Sequence, residues 1–510
     1  MSYKWAVLIV LMPTLTMVAL DLTIVNVALA TLGAEFGVNV ATVGWAVTGF
    51  SLATGVVTPA ASFVETRLTT KRVWVGSLVF FTAGSLLCGL APTFWVLIAG
   101  RLMQGTASGL LLPVAMSALF NAFPEGERGG AVGFLALPLI AGPALGPTIG
   151  GYIITHLEWR WVFLVNLPVG VLAVAMAAAL LRPSEPRTGA RFDVVGAVLS
   201  SLAFGSILYG VSRLSQDGLG SPTVSGIVGV GVLSLIAFFV YEARRDEPLL
   251  DVRLFAIPRF LIANVVTWVC GVALLGAEFM LPLYLQQLRG LSALDTGLLL
   301  LPQGLAVGIA APLAGRLSDR IGARPVAVVG CLLLALNTWD FSHLTLTTPY
   351  DTLRWILVVR GLALGLATTP AQLVGLAAAP EELRTNASSI LSSMKNVSSS
   401  FGVAALATIV QTQSVVHTAV LSWQVRPGTM PGAAVSQFGA LLQARANLSD
   451  SAAHLAGIQL MLGQIEQHAA VLAFGDAYRA TFFAALLAIA LATLLPGRGA
   501  PVEPAAVIEG

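Results

Sequence analysis

Apolar runs of about twenty residues recur from Trp5 to Leu495, and this constrains the chain more than any other feature. A membrane-spanning helix needs roughly 20 mostly apolar residues, whereas an outer-membrane barrel strand needs about 10 with alternating polarity. Repeated long runs therefore exclude a barrel as well as a water-soluble core. Composition agrees: 56% of residues are hydrophobic, 10% are charged and the mean hydropathy is +0.86. The expected fold class is all-α, a polytopic membrane protein with about fourteen spans. Ala28-Leu29-Ala30 looks like a signal-peptide cleavage site, but the run before it is too long, carries Asp21 and is followed by many more spans. It reads as an uncleaved first helix.

Charge placement orients the spans. With the N-terminus inside, the inner loops hold Lys4, Arg67, Lys71, Arg72, Arg128, Arg182, Arg187, Arg191, Arg244, Arg245, Arg253, Arg259, Arg316, Arg320, Arg324, Arg384 and Arg498, and far fewer cations fall outside. The positive-inside rule then places both termini in the cytoplasm. Trp5, Trp74, Trp95, Trp159, Trp161, Trp339 and Trp355 lie near predicted span ends, as an interfacial belt requires. The charged connections around 182–193 and 242–259 enclose two spans inserted between larger halves. The expected organisation is 1–182, a first six-helix bundle; 183–258, two inserted helices with charged linkers; 259–498, a second six-helix bundle with an outside helical hairpin at 413–476; and 499–510, a cytoplasmic tail. Arg426-Pro427-Gly428 breaks that hairpin, and Ser449-Asp450-Ser451 caps its second helix.

Asp21 is the charge that matters most. A carboxylate at the middle of a membrane helix costs about 2.5 to 3.5 kcal/mol on insertion scales, so such a residue faces a protein interior or a water-filled cavity. The two halves also echo each other. Arg67 matches Arg320, Asp21 matches Glu278, Arg101 matches Arg360 and Gly146 matches Gly402, at offsets of 253 to 259 residues. Parallel repeats of about six spans are the architecture of a two-bundle secondary transporter with its site between the bundles. A buried charge needs a partner. Asp21 is expected to pair with Arg101, and Glu278 with Arg360 or Lys395; both acids lie in the outer half of the membrane if each helix starts at the cytoplasmic face.

No metal site is expected. His156, His343, His417, His454 and His468 are scattered, and Cys88, Cys270 and Cys331 stand alone in separate apolar runs, as inert thiols would.

These residues resemble the fourteen-span drug:H+ antiporters of the major facilitator superfamily, EmrB/QacA type. The likeness rests on Leu20-Asp21-Leu22-Thr23-Ile24-Val25-Asn26-Val27-Ala28 in the first helix and Arg101-Leu102-Met103-Gln104-Gly105 in the fourth. It extends to Gly142-Pro143-Ala144-Leu145-Gly146-Pro147-Thr148-Ile149-Gly150-Gly151, which looks like the antiporter motif of the fifth helix, and to Trp159-Arg160-Trp161 through Asn166-Leu167-Pro168. Tyr284-Leu285-Gln286 and Pro302 match in the second half. Gly142, Gly146 and Gly150 share one helix face and admit a close neighbour, while Pro143 and Pro147 remove backbone donors. The superfamily's loop motif is kept as Gly315-Arg316-Leu317-Ser318-Asp319-Arg320-Ile321-Gly322-Ala323-Arg324. Its first-half counterpart, near Arg67, Lys71 and Arg72, is degraded: Ser62, Thr66 and Thr69 replace glycine, aspartate and glycine, and Glu65 is displaced by one residue, about 100° around a helix.

The resemblance implies a major facilitator fold and a proton-coupled exporter of small amphipathic or toxic compounds in a bacterial inner membrane, working by alternating access without a cofactor on the proton motive force. Asp21, Glu278, Arg101, Arg360, Lys395, Asn26 and Gln104 would couple protons to substrate. Asp21→Asn is expected to abolish coupling and leave folding intact. Two acids against three cations leave substrate charge open. A lipid or fatty-acid flippase of the same fold is the alternative, and a periplasmic adaptor with an outer-membrane duct is a candidate partner at the outside hairpin.

Overall fold

The structure is a computed structural model that describes the chain except residues 1, 39, 184–192, 218–219, 246–247, 425–449 and 498–510; some helical side chains, including those of 143–144, 147 and 274–279, are also outside the described set. The tail 499–510, the middle of the outside hairpin and most of the first charged linker thus lie outside the described residues.

The long helices are α1 (Tyr3–Phe36), α2 (Trp45–Leu68, with a 3-10 turn at Thr58–Ala60), α3 (Thr70–Gly89), α4 (Phe94–Ala122), α5 (Arg128–His156), α6 (Trp161–Leu180, interrupted at Val165) and α7 (Val194–Asp217). They continue as α8 (Pro222–Glu242), α9 (Pro258–Leu283), α10 (Ala293–Ile321), α11 (Ala323–Phe341), α12 (Tyr350–Ala378), α13 (Arg384–Gln424) and α14 (Asp450–Ala492). Among the described residues, twelve helices are long and apolar enough to cross a membrane. Helices α5 and α9 have comparable lengths, 29 and 26 residues. Every regular element described is helical, and one isolated antiparallel bridge joins Gly322 to Gly497. Apolar surroundings require each backbone to satisfy itself, which only a helix achieves within one segment. Hydroxyls obey the same rule: Thr14, Thr54 and Thr267 bond the carbonyls of Val10, Phe50 and Ala263 one turn back.

Helices α1–α6 and α9–α14 form two bundles, and α5 packs both on α1 and across the divide on α10. The α7–α8 pair leans on α2 and α13. One apolar core runs through both bundles at a single end, joining Leu119, Phe120 and Leu135 to Leu373, Leu376 and Ile390. At the far end the bundles keep separate cores, around Ile24, Phe94 and Trp159 in the first and Tyr284, Phe341 and Phe474 in the second. The bundles are therefore joined at the end that carries the α2–α3 and α10–α11 turns, the latch end.

Three expectations change. Trp74 and Trp159 are buried in bundle cores and belong to no interfacial belt, while Trp5, Trp95, Trp161, Trp339 and Trp355 are exposed. Cys270 and Cys331, distant in sequence, meet inside the second bundle with Sγ atoms 3.9 Å apart. The 413–476 segment is no separate hairpin where described: residues 413–424 and 450–476 continue α13 and α14 directly.

Candidate functional site

Asp21 is wholly enclosed in the first bundle, with 0% of its surface exposed, as are Arg101 and Gln104. Arg101 and Gln104 stand three residues apart on α4, so they share one face. That face meets α1 at Asp21. Arg101 Nη1 lies 2.5 Å from Asp21 Oδ2 and 2.9 Å from Gln104 Oε1, and Nε donates to the Ala46 carbonyl at 2.7 Å. Gln104 Nε2 donates to Asp21 Oδ1 at 2.9 Å and to Ser85 Oγ at 2.8 Å. Asn166, where α6 resumes after its break, donates to Asp21 Oδ1 at 2.7 Å. Three donors thus converge on one carboxylate, and charge-assisted bonds of this kind are about twice as strong as neutral ones. The guanidinium lies over Phe50, 4.5 Å from the ring centroid, and 6.0 Å from that of Phe163; Nη2 is buried without an acceptor.

Asn166 and Ser85 belong to this network, and sequence reasoning singled out neither. Asn166 had a signal, since it closes the motif that begins at Trp159. Ser85 had none, being one small residue on an apolar helix. Asn26, five residues past Asp21, is exposed and takes no part in the network.

In the second half Arg360 is also fully buried, its guanidinium 5.3 Å from the Phe341 ring. Glu278 lies on α9, but its side chain is outside the described residues. Lys395 is half-buried on α13, and among the described residues no carboxylate pairs with it.

The glycine face of α5 has found its neighbour: it is α1. A Cβ on Gly142 would lie 2.4 Å from the Ala19 carbonyl oxygen, one on Gly146 2.0 Å from Thr23 Oγ1, and one on Gly150 2.9 Å from Ile24. Thr23 also donates to the Gly142 carbonyl at 2.8 Å. Gly151 is half-buried and its carbonyl accepts from Thr155. The side chains of Pro143 and Pro147 are outside the described residues, and α5 runs through both positions without interruption.

At the latch end both halves close on the opposite bundle. The Asp319 carboxylate accepts from the Gly129 N–H at the start of α5, and the backbones of Gly315 and Gly129 approach so closely that a Cβ on Gly315 would lie 1.8 Å from the Gly129 oxygen. In the first half Glu65 takes the equivalent place from a different register. Thr385, at the start of α13, donates to Glu65 Oε2 at 2.6 Å and lies 2.8 Å from Ser117 Oγ, while Thr70 donates to Oε1 at 2.6 Å. Asp319 thus caps the N-terminus of α5 through a backbone N–H, and Glu65 lies beside the N-terminus of α13 through the Thr385 hydroxyl, where the helix dipole favours negative charge. The turns match as well: Gly322 has φ 93° and ψ 158°, Thr69 φ 78° and ψ 150°. Arg324 donates to the Leu495 carbonyl and Lys71 to that of Ala178, whereas Arg67, Arg72 and Arg320 are exposed.

Comparison with known proteins agrees with this geometry. The family model described as Major Facilitator Superfamily matches residues 11–403. The chain is 35% identical over 404 residues to a multidrug resistance protein B homolog of Mycobacterium tuberculosis, covering 78% of this chain and 74% of that protein. It is 31% identical over 389 residues to the lincomycin resistance protein LmrB of Bacillus subtilis, covering 76% and 81%. Among solved structures, the human organic anion transporter MFSD10 superposes with a TM-score of 0.59 at 14% identity, covering 94% of this chain and 99% of that one, a likeness of fold. An enclosed α1–α4 ion pair, two six-helix bundles and a family match over most of the length lead to one conclusion: the chain is an integral membrane transporter that belongs to the Major Facilitator Superfamily.

Proposed function

We propose that this transporter is a proton-coupled exporter of small amphipathic compounds, of the fourteen-span drug:H+ antiporter type, with both termini in the cytoplasm of a bacterial inner membrane. The observation that carries the reading is the Asp21–Arg101 pair, enclosed in the helix that seats on the glycine face of α5. A proton on Asp21 removes the charge that holds Arg101, so protonation and the packing of α1 against α4 and α6 are linked. A change in that packing alters access to the space between the bundles, and exchange follows only if proton and substrate favour different states. Relatives named for lincomycin and multidrug resistance support export as the direction. No cofactor takes part; the proton gradient is the energy source.

Proton release on addition of compounds to proteoliposomes, measured with a pH-sensitive dye across cationic, neutral and anionic panels, tests this. Compound-driven proton movement is expected for at least one class. Movement of labelled lipid with no proton flux for any compound would replace the reading with a flippase. The extensions at 413–424 and 450–476 are the parts of the structure that would reach a periplasmic adaptor and its outer-membrane duct; a deletion of 425–449 that leaves adaptor recovery in a pull-down unchanged removes that partnership.

A further inference from the structure

Outside the Asp21 network, two more carboxyl groups share one enclosure. Asp193 immediately precedes α7 and Glu242 ends α8; they are 3% and 1% exposed. Asp193 Oδ1 accepts from the Gly196 N–H at 3.0 Å and from the Tyr241 hydroxyl at 3.1 Å. Glu242 Oε2 accepts from the Leu249 N–H at 2.8 Å. The remaining oxygens, Asp193 Oδ2 and Glu242 Oε1, are buried with no donor. Both crowd the same point above Gly196, where a Cβ would lie 2.6 Å from Asp193 Oδ2 and 2.2 Å from Glu242 Oε1.

Two orphaned acceptors that crowd one point define what is missing. Buried polar atoms are almost always bonded, and two carboxylates this close do not both remain ionised away from water. One proton satisfies both oxygens, because a protonated carboxyl donates while its neighbour accepts. Around the pair, among the described residues, stand Tyr241, the exposed Arg244 and Arg245 at the end of α8, the latter against the Tyr241 ring at 5.3 Å, and on the following strap Asp251, which is already paired with Arg253. No cation among the described residues reaches the two orphaned oxygens.

We propose that Asp193 and Glu242 bind one proton between Asp193 Oδ2 and Glu242 Oε1, a second proton site that is separate from Asp21 and independent of the export reading. The site is a clasp. It ties the start of α7 to the end of α8, and through Leu249 it holds the strap that follows. That strap reaches the latch, since the Asp251 N–H donates to Asn386 on α13, next to the Thr385 that holds Glu65. Loss of the proton sets two buried charges against each other at the root of this connection. Until that release the folded protein binds one proton more than the unfolded chain, whose carboxyls are already ionised, so stability falls as pH rises towards the release.

Infrared difference spectra and thermal unfolding of the purified full-length protein across pH test the site. Wild type is expected to show the carbonyl stretch of a protonated carboxyl at neutral pH, lost in Glu242→Gln and retained in Asp351→Asn, which replaces an exposed carboxylate. Its melting temperature is expected to fall as pH rises from the ordinary carboxylate range to the release of this proton and to level off above it, and Glu242→Gln to flatten that fall, because an amide N–H donates to Asp193 Oδ2 in place of the proton. If Glu242→Gln fails to fold, Asp193→Asn places the amide on the other partner and must give the same flattening. An unchanged carboxyl band in both variants, or pH profiles that superpose on wild type, would overturn the proposal. So would a divalent cation that abolishes the wild-type band and raises its melting temperature.

Discussion

Asp21→Asn is the substitution that a coupling role invites first, and the structure makes its cost to folding calculable. The carboxylate accepts from Arg101, Gln104 and Asn166 within a site closed to solvent. An asparagine can turn its single acceptor to Gln104 and Asn166, but its amide N–H2 then faces Arg101 Nη1, donor against donor. Arg101 keeps its charge with only neutral acceptors left, Ala46 O and Gln104 Oε1. Removing one partner of a buried ion pair costs about 3–5 kcal/mol, against a total stability of about 5–15 kcal/mol for typical domains. The expectation that this variant leaves folding intact is thus revised. Arg101→Gln should cost a similar amount by stranding Asp21, and Asp21→Asn with Arg101→Gln less than the sum by about 0.5–3 kcal/mol, the coupling typical of contacting residues. Thermal unfolding in detergent of all four proteins measures this. Asp21→Asn within about 0.5 kcal/mol of wild type, the range of an ordinary surface change, would refute the enclosed pair as the structure draws it. Transport by the variants is meaningful only at equal amounts of folded protein.

Gly146→Ala drives a methyl to 2.0 Å from Thr23 Oγ1 and should lower stability by about 1–3 kcal/mol, with Thr23→Ala as a second change restoring part of the melting temperature. Thr69→Gly should raise stability by about 1 kcal/mol, because a β-branched residue is strained at φ 78° and glycine is not, as Gly322 at the matching turn illustrates. Gly315→Ala places a methyl 1.8 Å from the Gly129 oxygen and should part the bundles at the latch end, read as a longer distance between spin labels at positions 121 and 384. Glu65→Gln keeps the shape of the other latch but removes the charge, so the same labels should report a smaller opening.

Much of the fold was legible because the membrane leaves few solutions. Apolar runs of the right length can only be helices, and the repeat offsets divide them between two bundles. Asp21 and Arg101 were legible as partners for a related reason: isolated charges in such runs are expensive enough that two of them at comparable depth imply each other. Polar residues without charge gave no such energetic signal. Ser85 and Asn166 complete the network, yet serine and asparagine are cheap enough inside a bundle that burial cost singles out neither, and Asn166 was marked only by its place in the motif that begins at Trp159. Burial misled where length along a span stood in for surroundings, so Trp74 and Trp159 read as interfacial although they fill bundle cores. Asp193 and Glu242 escaped because both sit in charged connections, where acids are expected; only the fold reveals that they are enclosed together.

The first-half latch shows how a degraded motif still closes. A motif records residue types at fixed spacing, whereas the contact needs only an acceptor beside the N-terminus of the opposing helix. Moving the acid from position 66 to Glu65 turns it about 100° around α2, away from the Asp319 solution, in which a carboxylate meets a backbone N–H at a glycine contact. The chain compensates on the partner side. Thr385 on α13 supplies a hydroxyl that reaches the rotated carboxylate, Thr70 supplies another from below, and Ser117 holds Thr385 in place. Three hydroxyls replace one glycine approach, so the loss of the motif's glycines at 62 and 69 follows from the same change: with side chains reaching across, the backbones need not touch. The two latches therefore differ in kind. One depends on close packing and is broken by a single methyl on Gly315, the other on hydrogen bonds to a carboxylate and is weakened by neutralising Glu65.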